Sequence, residues 1–329
     1  MISDVTVVIS PTLTMGKVGF RIPLILVCGL TAEVPYAEYT KAEDIKAKFS
    51  GNDDVYKTAQ LIFMQNNAPK KVAVYGIKTD TDETTALASV LDKDWRQLIV
   101  IGSENKETIS AYIENTMNKM YFLSVKQTSE MTSFKGRERT VILYDDLANA
   151  PTYPEAAIVG EAAGRTVGSF TYKNMIIKGL DPLDINDNKA NEIHANGGIT
   201  LLKKAGDIVT SEGKTASGEY IDIIDSKDYV INNIQYDTQK LLNTADKVPY
   251  TDAGISALES VTFNVLTDAY NNGMIASDTE GTALYSVNFA GRADMKAEDR
   301  KNRIYTGGNF SFTLAGAIHN VEINGELQI

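Results

Sequence analysis

His194, His319 and Cys28 are the only imidazoles and the only thiol in the chain, so a catalytic triad, thiolate nucleophile or His/Cys metal site must be built from them. A Ser-His-Asp arrangement needs an imidazole between nucleophile and carboxylate, and zinc needs several nitrogen or sulfur donors at short spacing. Neither histidine lies near a nucleophile elbow or a second ligand of that kind. His194 falls in a polar stretch and His319 in a β-prone one. Cys28 ends an apolar run, the setting of a buried small residue rather than an activated thiolate.

Three other groupings invite a chemical reading. Gly206 to Gly213 followed by Lys214-Thr215 approaches a phosphate loop. Six residues separate the glycines where four are needed, however, and Asp207 and Glu212 repel phosphate, so the stretch reads as a hairpin loop. Gly160, Gly164 and Gly168 lie four apart inside a predicted helix, the spacing of close backbone packing against a sheet rather than of a dinucleotide fingerprint. Asp181, Asp184, Asn186 and Asp187 supply oxygens for calcium but lack the glycine and glutamate of an EF-hand loop, which leaves a solvated turn. No metal or other cofactor is expected, and catalysis finds no support.

Alternating strands and helices would have to position any site. Strands are predicted at 20–28, 71–77, 97–101, 121–125, 139–144 and 174–178, with helices at 41–49, 53–66, 83–93, 106–119 and 154–168. Repeated alternation with short links predicts an α/β unit: a largely parallel sheet covered by helices on both faces. Beyond residue 180 the pattern loosens. Residues 181–198 are polar, 199–203 and 220–224 read as strands, and 211–218 as a turn or protruding loop. Two amphipathic helices follow, the first capped by Asp228 with Ile231, Ile234, Thr238, Leu241 and Ala245 on one face. The second is capped by Asp252, with Ile255, Leu258, Val261, Val265 and Ala269 aligned and Gly273 closing it. A strand at 284–290, a connector and terminal strands complete a smaller α+β C-terminal domain. The division is therefore an arm and tether at 1–19, a core domain at 20–218, a C-terminal domain at 219–318 and a terminal strand at 319–329.

The 329 residues carry a net charge of −11, which excludes nucleic-acid binding through the body of the protein. A single cysteine permits no intrachain disulfide, so the fold needs no oxidising compartment. The N-terminus lacks the basic region of a signal peptide, and the longest apolar run, 22–30, is too short to span a bilayer; no membrane insertion is expected. Against this acidic background residues 291–303 stand out. Arg292, Lys296, Arg300, Lys301 and Arg303 face Asp294, Glu298 and Asp299, a local +2 that reads either as a solvated face or as a docking surface for an acidic partner.

Both ends of the chain are β-prone. Val5, Val7 and Ile9 lie on an arm followed by Pro11, Gly16 and Gly19. The last stretch, with Ile318, Val321, Ile323, Leu327 and Ile329, follows the small-residue pivot Ala315-Gly316. A terminal strand with nothing after it pairs in its own sheet, stays an exposed edge, or pairs with another molecule.

The sequence resembles the contractile tail sheath proteins of bacteriophages and phage-tail-like particles. The resemblance is carried by Arg21-Ile-Pro-Leu-Ile-Leu-Val-Cys-Gly29, by Tyr36-Ala-Glu-Tyr-Thr40 with Phe49, by the two helices between 228 and 273, and above all by the final sixteen residues from Leu314. It extends over nearly the whole chain, which is short for the family. It implies a subunit that polymerises helically around a tail tube, meets baseplate and tail terminator proteins, and contracts without nucleotide hydrolysis. On that reading Val5, Val7, Ile9, Val321, Ile323, Leu327 and Ile329 form inter-subunit strands, Arg292, Lys296, Arg300, Lys301 and Arg303 dock the tube, and Pro11, Gly16, Gly19 and Gly316 are hinges. The implied location is a virion or particle tail, assembled in the bacterial cytoplasm. The alternatives are an enzyme on a doubly wound sheet with a small-molecule site near 181–198, and a static surface-lattice protein.

Overall fold

A computed structural model describes residues 22–116, 118–147 and 152–323. Val5, Val7, Ile9, Pro11, Gly16, Gly19, Leu327 and Ile329 lie outside the described residues. The first part of the chain comprises β1 (Leu24–Leu30), β2 (Val34–Tyr39), α1 (Ala42–Lys48), α2 (Asp53–Phe63), β3 (Val72–Lys78), α3 (Glu83–Ala88), β4 (Gln97–Ile101), α4 (Lys106–Glu114), β5 (Met120–Val125), β6 (Thr140–Tyr144), α5 (Pro154–Ala163), α6 (Asp187–Ala195) and β7 (Gly198–Ile199). The strands form one sheet in the order β2-β3-β1-β4-β5-β6-β7, parallel except for β2.

Strands buried on both faces must be apolar at every position, and β1 shows it. Ile25 and Val27 enter the core under α1, α2 and α5, whereas Leu24 and Leu26 enter the opposite core under α3 and α4. β5 divides in the same way, Phe122 to the first core and Tyr121 and Leu123 to the second. The parallel α/β expectation therefore holds. β2 was not expected. It carries Pro35, which an edge strand tolerates because only one side must supply ladder hydrogen bonds.

Close packing at Gly160 and Gly164 is present, but against α2 and the turn after it rather than the sheet. A Cβ on Gly160 would lie 2.6 Å from the Ile62 backbone of α2, and one on Gly164 would collide with the Asn67 carbonyl. Residues 174–178 form no sheet strand. They run beside a separate hairpin, β8 (Leu201–Lys204) and β9 (Asp207–Thr210), through a bridge from Ile176 to Val209. Ala205 and Gly206 turn this hairpin at φ of 50° and 98°, so the first glycine of the phosphate-loop candidate is a two-residue turn. Residues 211–218 turn at 216–217 but do not protrude. Ser211, Thr215 and Ala216 are buried, and the Ala216 amide donates to the Thr140 carbonyl at 2.8 Å.

The second part comprises α7 (Ile221–Thr244), α8 (Asp252–Asn271), β10 (Tyr285–Phe289), α9 (Ala297–Asn302) and β11 (Gly308–Phe312). Residues 220–224, read as a strand, are the N-cap and first turn of α7. Asp228 is therefore not a cap but a buried side chain two turns inside the helix. At α8 the cap is Thr251, whose hydroxyl accepts from the Gly254 amide at 3.3 Å. Asp252 is left to accept from the Arg292 amide at 2.8 Å.

Candidate assembly surface

The β10–β11 hairpin shows the two-residue period cleanly. Tyr285, Val287, Phe310 and Phe312 pack on Val265, Leu266 and Ala269 of α8 and on Val230 and Ile234 of α7. The intervening Ser286 and Ser311 face outward and share a hydroxyl hydrogen bond of 2.8 Å. Beyond β11 the chain stays paired for three more residues: the Thr313 amide donates to Leu284, Leu314 bridges Ile275, and the Ala315 amide donates to Met274 at 2.8 Å.

Pairing then ends. Gly316 takes a φ of 62°, in the left-handed region that favours glycine, and residues 316–323 form no strand with the other described residues. Ile318, Val321 and Ile323 are 86%, 74% and 87% exposed. The expected buried face of a strand running from residue 317 is thus absent from this chain over its described part. The periodic side chains are there, but no described strand of this chain pairs with them.

The connector is ordered by three contacts. Asp252 holds the Arg292 amide, and the Arg300 guanidinium donates to the carbonyls of Arg292, at 3.1 Å, and of Met295. Arg300 therefore braces the connector, while Arg292, Lys296, Lys301 and Arg303 are exposed. Ile304, also exposed, adjoins them, and Tyr305 stacks on Phe289 with centroids 5.9 Å apart, joining the connector to the hairpin.

Half of the stretch 181–198 is helix rather than a polar loop. Asp187–Ala195 is helix α6, and the Asn186 side chain caps it by accepting from the Lys189 amide at 3.0 Å. The void touching Asp181 and Leu183 measures about 10 Å³, room for one water. His194 Nε2 lies 2.8 Å from Ser211 Oγ, a pairing that resembles a nucleophile and its base. Ser211 is nevertheless buried and already accepts from the Thr200 amide at 3.0 Å, so this pair ties α6 to β9 and offers no approach to a substrate. Among the described residues no group of three or more His, Cys, Asp or Glu is placed to hold a metal.

Residues 221–327 match the family model of the E217 tail sheath protein gp31-like C-terminal domain. Over its full length the chain is similar to the sheath of the PVC extracellular contractile injection system in its contracted state (TM-score 0.74, 14% identity, 100% of this chain and 97% of that one). It is likewise similar to the contracted helical sheath of the anti-feeding prophage (TM-score 0.75, 12% identity, 96% of each chain). The fold is that of contractile tail sheath subunits. The sheath tail protein Lin1278 from Listeria innocua shares it at TM-score 0.58 and 11% identity, over 82% of this chain and 88% of that one. No curated protein matches the sequence.

Within this sheath fold the matched C-terminal region is fastened to the sheet by buried charge. Arg96, fully buried at the start of β4, donates to Asp225 through Nε at 3.1 Å and to Asp228 through Nη1 at 2.5 Å. Arg139 adds a two-pronged contact to Asp228 at 2.7 and 2.9 Å, and the Tyr172 hydroxyl donates to Asp225 at 2.8 Å. Burial opposes ionisation of Asp228, but the two guanidinium groups outweigh it and hold the carboxyl below its ordinary range. Ile221, Ile224, Asp225 and Asp228 share one face of α7, so the helix presents two isoleucines and two carboxylates inward together. Sequence reasoning missed this joint because Arg96 and Asp225 lie 129 positions apart. The signal available was the helical spacing of 221, 224, 225 and 228.

A further buried carboxylate, Glu155 at the start of α5, has no hydrogen-bond partner for Oε2 among the described residues. Burial pushes its carboxyl up to about 7. A raised carboxyl pKa means that the folded state holds a proton the unfolded chain releases between about 4.5 and 7, so stability falls as pH rises through that window. Glu155→Gln, neutral throughout, should gain stability relative to the parent on going from pH 5 to pH 8. The expected size is on the order of 3 kcal/mol, and urea unfolding at the two pH values measures it.

Proposed function

We propose that the chain is a structural subunit of a contractile tail sheath, polymerising helically around a tail tube and contracting to drive that tube through a target envelope. The observation that carries this reading is the run of exposed apolar side chains Ile318, Val321 and Ile323, unpaired among the described residues and adjoining a hairpin of the sheath fold. Donated to a neighbouring subunit, the segment gains main-chain hydrogen bonds and buries those side chains without a large rigid interface. Val321, Ile323, Leu327 and Ile329 are the strand positions, and a neighbour's Val5, Val7 and Ile9 lie beside them in the same sheet. A contact of this kind joins unlike surfaces, and when the rotation does not close it generates a helix.

Gly316, with Pro11, Gly16 and Gly19 at the other end, acts as a hinge that lets subunit bodies rotate while the strands stay joined. Energy is held in an extended, metastable assembly released through the baseplate, so no nucleotide is consumed. The particle is a phage tail or phage-tail-like body assembled in the bacterial cytoplasm, and a tail terminator protein caps it. Arg292, Lys296, Lys301 and Arg303 meet an acidic tube surface, with Arg300 bracing them from within. Electron microscopy of the purified chain should show hollow tubes. Lys296→Glu with Lys301→Glu should leave tube formation intact and weaken co-sedimentation with the tail tube protein by about tenfold or more at low salt, the effect shrinking as salt rises. Equal co-sedimentation of parent and variant would remove the connector from the tube contact.

A further inference from the structure

From 315 to 323 every residue is exposed except His319. Its Nε2 lies 3.0 Å from the Thr171 hydroxyl, and its ring stands edge-on to Tyr220 with centroids 4.9 Å apart and planes at 76°. The cradle belongs to the body of the subunit: Tyr220 is the N-cap of α7, the helix pinned by Arg96, and the Lys214 ammonium sits 4.8 Å from the Tyr220 ring centroid.

We propose that Thr171 and Tyr220 form a docking site for His319 of the same chain, a latch that parks the donor segment on its own subunit until assembly draws it away. The inference rests on the strand-donation reading above. Its physical content is reach. With His319 seated, the ten residues from 320 to 329 span at most roughly 33 Å beyond the anchor; with it released, the fourteen residues after Ala315 span at most roughly 46 Å. Only the released form reaches a neighbour with the whole apolar stretch free. Latching therefore lowers the assembly-competent fraction and raises the apparent concentration needed for assembly in proportion. One hydrogen bond and one edge-on aromatic contact set that factor at about tenfold.

The test uses the full chain and two variants that remove the latch from opposite sides, His319→Ala in the segment and Thr171→Val in the cradle. Thr171→Val is decisive because it leaves the donated segment unaltered. Both variants are expected to lower the critical concentration for tubes about tenfold. Below that concentration, both are expected to speed limited proteolysis within 316–323. An unchanged critical concentration and unchanged cleavage in Thr171→Val overturn the latch, and if removal of 320–329 still abolishes tubes, donation stands without it. Tubes that persist after that removal overturn donation and the latch together.

Discussion

Removing residues 320–329 is expected to abolish tubes at concentrations where the parent chain assembles fully. Burying Val321 and Ile323 in a neighbour contributes about 3–6 kcal/mol, which corresponds to a rise in critical concentration of roughly 100-fold or more before any main-chain hydrogen bond is counted. The two side chains are 74% and 87% exposed in the single chain, so their loss removes little from the folded subunit. The thermal midpoint of the truncated protein should therefore stay within a degree or two of the parent. That separation gives the experiment its force: a truncated chain that folds normally and sediments as a single subunit has lost a contact made between subunits. Normal tubes from the truncated chain would remove the segment from the assembly.

Asp228→Ala should cost about 3–5 kcal/mol, because it strips a buried guanidinium of one partner and leaves the remaining charge inside the protein. Arg96 is 0% exposed and cannot turn to solvent. The sign with pH follows from the lowered carboxyl of Asp228. Its contribution is fully present above the unfolded pKa of about 3.9 and is lost as pH falls through the lower folded value. The gap between parent and variant in urea unfolding should be widest near pH 7 and close toward pH 3. Equal gaps at both values would mean that the cost is one of packing rather than of charge. Because this joint fixes α7, and with it the hairpin, to the large sheet, loosening it should also broaden the distribution of tube diameters.

The main sheet was legible because strands covered on both faces are apolar without interruption, as in Leu24-Ile25-Leu26-Val27, and a run of that kind has few other structures open to it. The N-terminal half of α7 was not. Its inward face carries Asp225 and Asp228, and Asp228 reads as an N-cap until Arg96 is placed opposite them, a partner that comes from a distant strand. α6 was missed for a related reason: a short polar helix capped by Asn186 and covering the sheet with Ala190 and Ile193 alone has almost no apolar stripe. At the assembly surface the alternation of Val321 and Ile323 was readable, whereas the His319 contact was not, since Thr171 and Tyr220 come together only through the fold. The connector's positive charge was plain in composition, but composition gave all five cations one role, and the structure separates Arg300 as a brace.

The central claim is that the segment beginning at residue 317 leaves its own subunit to complete the sheet of another. Helical reconstruction by electron cryo-microscopy of tubes formed by the purified chain tests it most directly. The account predicts a hollow helical lattice in which the main chain at Val321 and Ile323 is hydrogen-bonded into the sheet of an adjacent subunit and His319 has left Thr171. A closed oligomer of a few subunits, or tubes in which His319 is still seated on Thr171 and residues 320–323 pair with no neighbour, would contradict it.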